Sequence, residues 1–175
     1  MTRLRIRVAA ALVLTFVTVW VGFGLLLEPW RRAEAALVAG TLNALGVNAV
    51  RGSYGNLILV VSPGERAFIA NISPSCSSLG AVLAFGAFAL FLVEGQPLRR
   101  LVAFLSASLL IIVCNLVRIG MSIWIGVLSD SAGLVLFHDW VGTAFGILFV
   151  LMGFMVFLFI LLPSNRRIAQ GRAHA

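Results

Sequence analysis

Four long apolar runs leave this chain few ways to fold: Val8 to Leu27, Cys76 to Val93, Leu101 to about Leu128, and about Trp140 to Leu162. Each approaches the roughly 20 residues, at about 1.5 Å apiece, that a helix needs to cross a bilayer. With 61% hydrophobic and 11% charged residues among 175, the sequence is too apolar for a soluble domain. The expected fold is an all-α membrane protein of about four transmembrane helices. No internal repeat or long linker divides it, so residues 1–175 read as a single domain.

Arginine sets the orientation, since all thirteen basic residues are Arg. Arg3, Arg5 and Arg7 precede the first span, Arg99 and Arg100 separate the second and third, and Arg166, Arg167 and Arg172 follow the fourth. The positive-inside rule then places both termini and the 94–100 loop in the cytoplasm. On the other side Arg31, Arg32, Arg51 and Arg66 alternate with Glu28, Glu34 and Glu65, which weakens that bias. The formal net charge of +7 thus follows membrane topology. Its carriers form no groove-sized patch, so nucleic acid is not an expected partner, whereas membrane lipid is. The first apolar run exceeds the roughly 7–15 residues of a signal peptide's apolar region and reads as an uncleaved anchor.

The extracytoplasmic segment 28–74 divides in two. Residues 31–46 predict an amphipathic helix with Ala35, Ala36, Leu37, Val38, Leu42 and Leu45 on its apolar face and Gly46 as its stop. Val47 to Ile72 predicts a small antiparallel meander, broken at Arg51-Gly52-Ser53, Tyr54-Gly55-Asn56 and Ser62-Pro63-Gly64-Glu65.

Arg118 is the energetic anomaly. An arginine at the centre of a membrane helix costs roughly 2.5–3.5 kcal/mol on insertion scales, so one kept there faces a polar partner, a cavity or a reacting group. It lies about 17 residues, or roughly 26 Å, above the cytoplasmic boundary of the third span. Cys76 falls at a similar height on the second, with Ser73 as expected N-cap and Pro74 at the first helical position. There the unpaired N–H groups of a helix start would favour thiolate over thiol. Asn115 precedes Arg118 by one turn on the same face, and His138 opens the fourth span. Thiol, imidazole and guanidinium at one depth are the parts of an acyl-transfer site.

Each residue also has a plainer reading. A lone cysteine in an apolar helix usually packs as a small hydrophobe, and a boundary histidine is more often interfacial than catalytic. Arg118 could pair with Asp130, Asp139 or a lipid phosphate in a non-catalytic scaffold or assembly subunit. Cys114, one turn below Arg118, reads as packing, although a redox pair with Cys76 is a third option. Gly142-Thr143-Ala144-Phe145-Gly146 reads as a helix contact. No spacing of histidines and carboxylates suggests a metal site, and no cofactor is expected.

The blocks Cys76-Ser77-Ser78, Asn115-Leu116-Val117-Arg118-Ile119 and His138, in this order and topology over roughly residues 73–162, resemble those of the exosortase/archaeosortase family of membrane-embedded cysteine transpeptidases. That resemblance implies a prokaryotic inner-membrane enzyme acting on C-terminal sorting signals of exported proteins, each a short motif, a membrane helix and a basic cluster. It implies cleavage near the outer face, with Cys76 as the nucleophile that forms a thioester, His138 as proton shuttle, Arg118 stabilising the oxyanion or thiolate, and Asn115 in support. Many relatives read Cys-Ser-Gly where this chain has Cys76-Ser77-Ser78, and many are longer at the N-terminus.

Overall fold

The first helix does not stop at Pro29. In the computed structural model, which describes residues 2–61, 67–91 and 96–162, and the side chains of these except 2–7, 130–134, 136 and 138, α1 runs unbroken over Thr2–Ala44. The expected anchor and the expected amphipathic helix are therefore one element. An interior proline removes a backbone bond and costs about 3 kcal/mol, and the half of α1 beyond it is held by tertiary contacts. The Arg31 guanidinium donates to the Ile72 carbonyl (2.5 Å) and Trp30 Nε1 to Ser78 Oγ (3.1 Å). Ala35, Val38, Ala39 and Leu42 are all buried.

This buried stripe corrects the expected apolar face. Arg31, Glu34, Ala35, Val38, Ala39 and Leu42 point inward, whereas Leu37 and Leu45 are exposed and so is Ala36. At the helix end Gly46 takes a φ of 82°. Its N–H bonds to the Asn43 carbonyl and that of Val47 to the Leu42 carbonyl, the pair of bonds that makes a Schellman cap.

The expected meander follows as β1 (Val50–Tyr54), β2 (Leu57–Val60) and β3 (Phe68–Asn71), antiparallel in the order β1-β2-β3. Gly55, at φ 62°, forms the tight two-residue turn between Tyr54 and Leu57. Gly52 marks a break in the register of β1, not a turn. The expected turn at Ser62 to Glu65 lies outside the described residues. Ile58 and Val60 are fully buried. They join one core with the inner stripe of α1, Cys76, Ile119 and Ile123, so the sheet lies against the helices that carry the candidate site.

A 3₁₀ turn at Pro74–Cys76 leads to α2 (Leu79–Phe91), α3 (Pro97–Leu136), a π-helical turn at Phe137–Val141, and α4 (Gly142–Leu161). Among the described residues three helical stretches, Val8–Ala44, Pro97–Ser129 and Asp139–Leu161, are long and apolar enough to cross a membrane. The second expected span, Cys76 to Val93, corresponds to α2, apolar but only 13 residues long. Cys76 to Ser78, which the sequence suggested for its first turn, belong to the 3₁₀ turn and to the extended link at Ser77.

A second core joins α2, α3 and α4 through Phe85, Ala89, Ala103, Ala107, Ile111 and Phe157. Phe85 and Phe88 each meet Phe154 and Phe157 in tilted or edge-on contacts. Helices α3 and α4 run antiparallel, since Gly153 faces Ile111 while Arg99 donates to the carbonyls of Ile160 and Leu162.

Candidate functional site

Four segments distant in sequence meet at one level: the middle of α1, the 3₁₀ turn, α3 and the start of α4. Cys76 is 5% exposed. Its turn is built as the local sequence suggests, with Ser73 at the N-cap and Pro74 first in the turn, and Cys76 N–H bonds to the Ser73 carbonyl (3.0 Å). The expected α-helix N-terminus is not at the sulfur, because α2 starts three residues later. The Ser73 hydroxyl lies close to the sulfur, with Oγ 2.9 Å from Sγ.

Asn115 ties this turn to α3. Its Nδ2 donates to the Cys76 carbonyl (2.8 Å) and to Glu34 Oε1 (3.0 Å), and its Oδ1 accepts from Arg118 Nη1 (3.4 Å). Arg118 Nε is buried and has no hydrogen-bond partner among the described residues. Among the described residues its bonded partner is the Asn115 amide. The side chain of Asp139 is exposed, and that of Asp130 lies outside the described residues.

The glycine pair Gly142 and Gly146 has a more particular place than a generic helix contact. A β-carbon at Gly142 would lie 3.3 Å from Arg118 Nε, and one at Gly146 would lie 3.3 Å from Arg118 Nη1. The pair lets α4 pass close to the guanidinium. The Phe137 carbonyl, in the π turn that carries His138, lies 3.5 Å from the same Gly142 position. The His138 side chain lies outside the described residues.

Cys76 and Arg118 line one cavity of about 110 Å³, closed by Ile69, Ala70, Asn71 and Ile72 on one side and by Ile119, Ser122 and Ile123 on the other. Cys114 is half-buried, is not disulfide-bonded and is not among the lining residues. Among the described residues no three His, Cys, Asp or Glu side chains gather as a metal cluster.

Glu34 is the residue that sequence reasoning missed, having weighed it only as one charge among those outside the membrane. It is 3% exposed, and its Oε1 accepts from Ser78 N–H (3.0 Å), Ser78 Oγ (2.8 Å) and Asn115 Nδ2 (3.0 Å). Carboxylates are almost never this buried unless well bonded. A signal existed: Glu34 occupies the same i, i+4 stripe as Val38 and Leu42, where a charge has no reason to be unless it meets a partner.

Fold and cavity together define a helical integral membrane protein with a buried polar cluster built around a thiol and a guanidinium. The family model for transmembrane exosortases matches residues 2–162, and the chain belongs to that family. That range contains every residue of the cluster. Comparisons with curated proteins and with solved structures returned no match.

Proposed function

We propose that this exosortase is a membrane cysteine peptidase/transpeptidase that cleaves C-terminal sorting signals of exported proteins through a thioester on Cys76. The observation that carries this reading is the shared cavity, which a buried thiol and a guanidinium both line. In the proposed reaction the Cys76 thiolate attacks the scissile carbonyl and the oxygen becomes an oxyanion. Arg118 donates to that oxyanion from a fixed position, where a preorganised donor counts for most. His138 takes the thiol proton and passes it to the leaving amine as the C–N bond breaks. Water or an acceptor nucleophile then attacks the thioester, and Sγ leaves as thiolate.

Asn115 and Glu34 are the supports of this arrangement. Asn115 fixes the peptide plane of Cys76 and one end of Arg118, and Glu34 fixes Asn115. The proposed setting is a prokaryotic inner membrane, with both termini cytoplasmic and the cavity at the outer face.

The test is to co-express a tail-anchored reporter that the wild-type protein processes with Cys76→Ala or Cys76→Ser. Unprocessed reporter at normal protein level is the expected result, and continued processing would remove Cys76 from the mechanism.

A further inference from the structure

Among the described residues β3 is an edge strand, since the sheet order β1-β2-β3 gives it one neighbour, β2. The hydrogen-bond phase can be read from its end, where Ile72 N–H donates to the Asn56 carbonyl (3.0 Å). In an antiparallel ladder alternate residues bond to one side. With the register Ile58↔Ala70 and Val60↔Phe68, the β2-facing residues are Phe68, Ala70 and Ile72. Ile69 and Asn71 turn their N–H and C=O groups to the open edge.

That edge borders the cavity that holds Cys76 and Arg118. Ile69, Ala70, Asn71 and Ile72 all line it, although side chains of successive strand residues point to opposite faces. Burial follows that alternation: Ile69 and Asn71 are exposed, and Ala70 and Ile72 lie toward the core. Ile69, Ala70 and Asn71 of β3, with Ile72 just beyond it, border one space, as consecutive residues do where a cavity runs along the edge of a strand. An exposed edge is a template for an added strand, with main-chain bonds giving affinity and alternate side chains giving specificity.

We propose that β3 is the docking rail for the substrate: an extended peptide segment just outside the substrate's membrane helix adds to β3 as a fourth strand. Its backbone bonds to Ile69 and Asn71, and its next residues run past Ile72 to bring the scissile carbonyl to Cys76. The apolar walls, Ile69, Ile119 and Ile123, select small or apolar side chains. This inference rests on the peptidase reading above and adds to it how the peptide is held.

Proline tests the edge directly, because Ile69→Pro deletes the outward N–H while leaving the bonds to β2, and proline is tolerated at such edge positions. Processing of the tail-anchored reporter by full-length protein in membranes should fall about tenfold in Ile69→Pro, in line with one lost backbone bond, and by clearly less in Ile69→Ala, which keeps the outward N–H and loses only the side-chain wall. Alkylation of Cys76 by iodoacetamide should be unchanged in both, and wild-type processing by Ile69→Pro at normal protein level would overturn the proposal. A second measurement covers a folding failure of that variant: disulfide trapping of Ile69→Cys, in a Cys76→Ala, Cys114→Ser background, against single-cysteine reporters scanned through the segment next to the membrane. Trapping at every second reporter position supports an added strand, and trapping that is absent or without that period rejects it. Because trapping needs no catalysis, it can succeed even where the Cys76→Ala result has rejected the thioester, so the two failures are separable.

Discussion

Asn115 Nδ2 lies 3.0 Å from Glu34 Oε1, a buried bond that links residues 81 positions apart in the chain. Through it α1 reaches the guanidinium on α3, because the other end of the same amide accepts from Arg118. The acid and the base are therefore held one amide apart. A direct ion pair would commit the Arg118 charge to Glu34, whereas the amide leaves its Nε–H unspent. Asn115 thus anchors both groups while keeping them distinct.

Glu34→Leu should be among the most damaging single changes. It strands the Ser78 N–H, the Ser78 hydroxyl and an Asn115 N–H in a buried setting, at about 1–3 kcal/mol for each donor left unsatisfied. A large fall in the detergent unfolding temperature is the expected outcome. Glu34→Gln keeps an acceptor oxygen and should fold with a loss of about 1 kcal/mol, yet process the reporter several-fold more slowly as Asn115 and Arg118 shift. Equal stability of Gln and Leu variants would mean that these bonds contribute little.

Arg118→Gln should separate chemistry from folding. Its Nε has no partner to lose among the described residues and its Nη1 only a long 3.4 Å bond to Asn115 Oδ1, so the unfolding temperature should fall only modestly. Processing should fall by about 10²–10³, the usual cost of removing one oxyanion donor. Arg118→Lys keeps the charge but not the planar fork and should recover only part of that loss. A neutral Arg118→Gln variant would return the residue to a structural role.

These residues also mark where the sequence could and could not be read. Spacing placed Asn115 and Arg118 on one face and brought Cys76 to their height, because helix rise is fixed and the spans are long. Gly46 as a stop and the three-strand meander followed from local backbone chemistry. The joining of anchor and amphipathic helix through Pro29 did not, since it depends on Arg31 reaching Ile72 across 41 positions. Glu34 was hidden for the same reason, its partners Ser78 and Asn115 belonging to elements remote in the chain. The start of α2 was misplaced because Ser73 and Pro74 signal the beginning of any helical turn, 3₁₀ or α.

Gly146→Ala should move stability and activity in opposite directions. Alanine in place of a helical glycine gains about 1 kcal/mol, and the new methyl would meet the movable end of a side chain, Arg118 Nη1 at 3.3 Å. Stability should hold or rise while the guanidinium gives way by a few tenths of an ångström. Processing should fall by about tenfold, as for other small misplacements of a catalytic group. Gly153→Ala makes the contrast, since its β-carbon would lie 2.7 Å from Ile111 Cδ1 within the α3–α4 contact, away from Arg118. It should lower the unfolding temperature with little specific effect on the residual activity per folded molecule.

Cys114→Ser separates thioester from redox chemistry. Cys114 does not line the cavity with Cys76 and Arg118, so a single-thiol mechanism predicts processing within about twofold of wild type, the scale of an ordinary half-buried substitution. A dithiol mechanism predicts that Cys114→Ser is as inactive as Cys76→Ser. Reporter processing measured side by side, with and without a reducing agent, decides between them. Retention of activity in Cys114→Ser, insensitive to reductant, leaves Cys76 as the reacting sulfur, and the Ser73 hydroxyl 2.9 Å from it becomes the next group to vary.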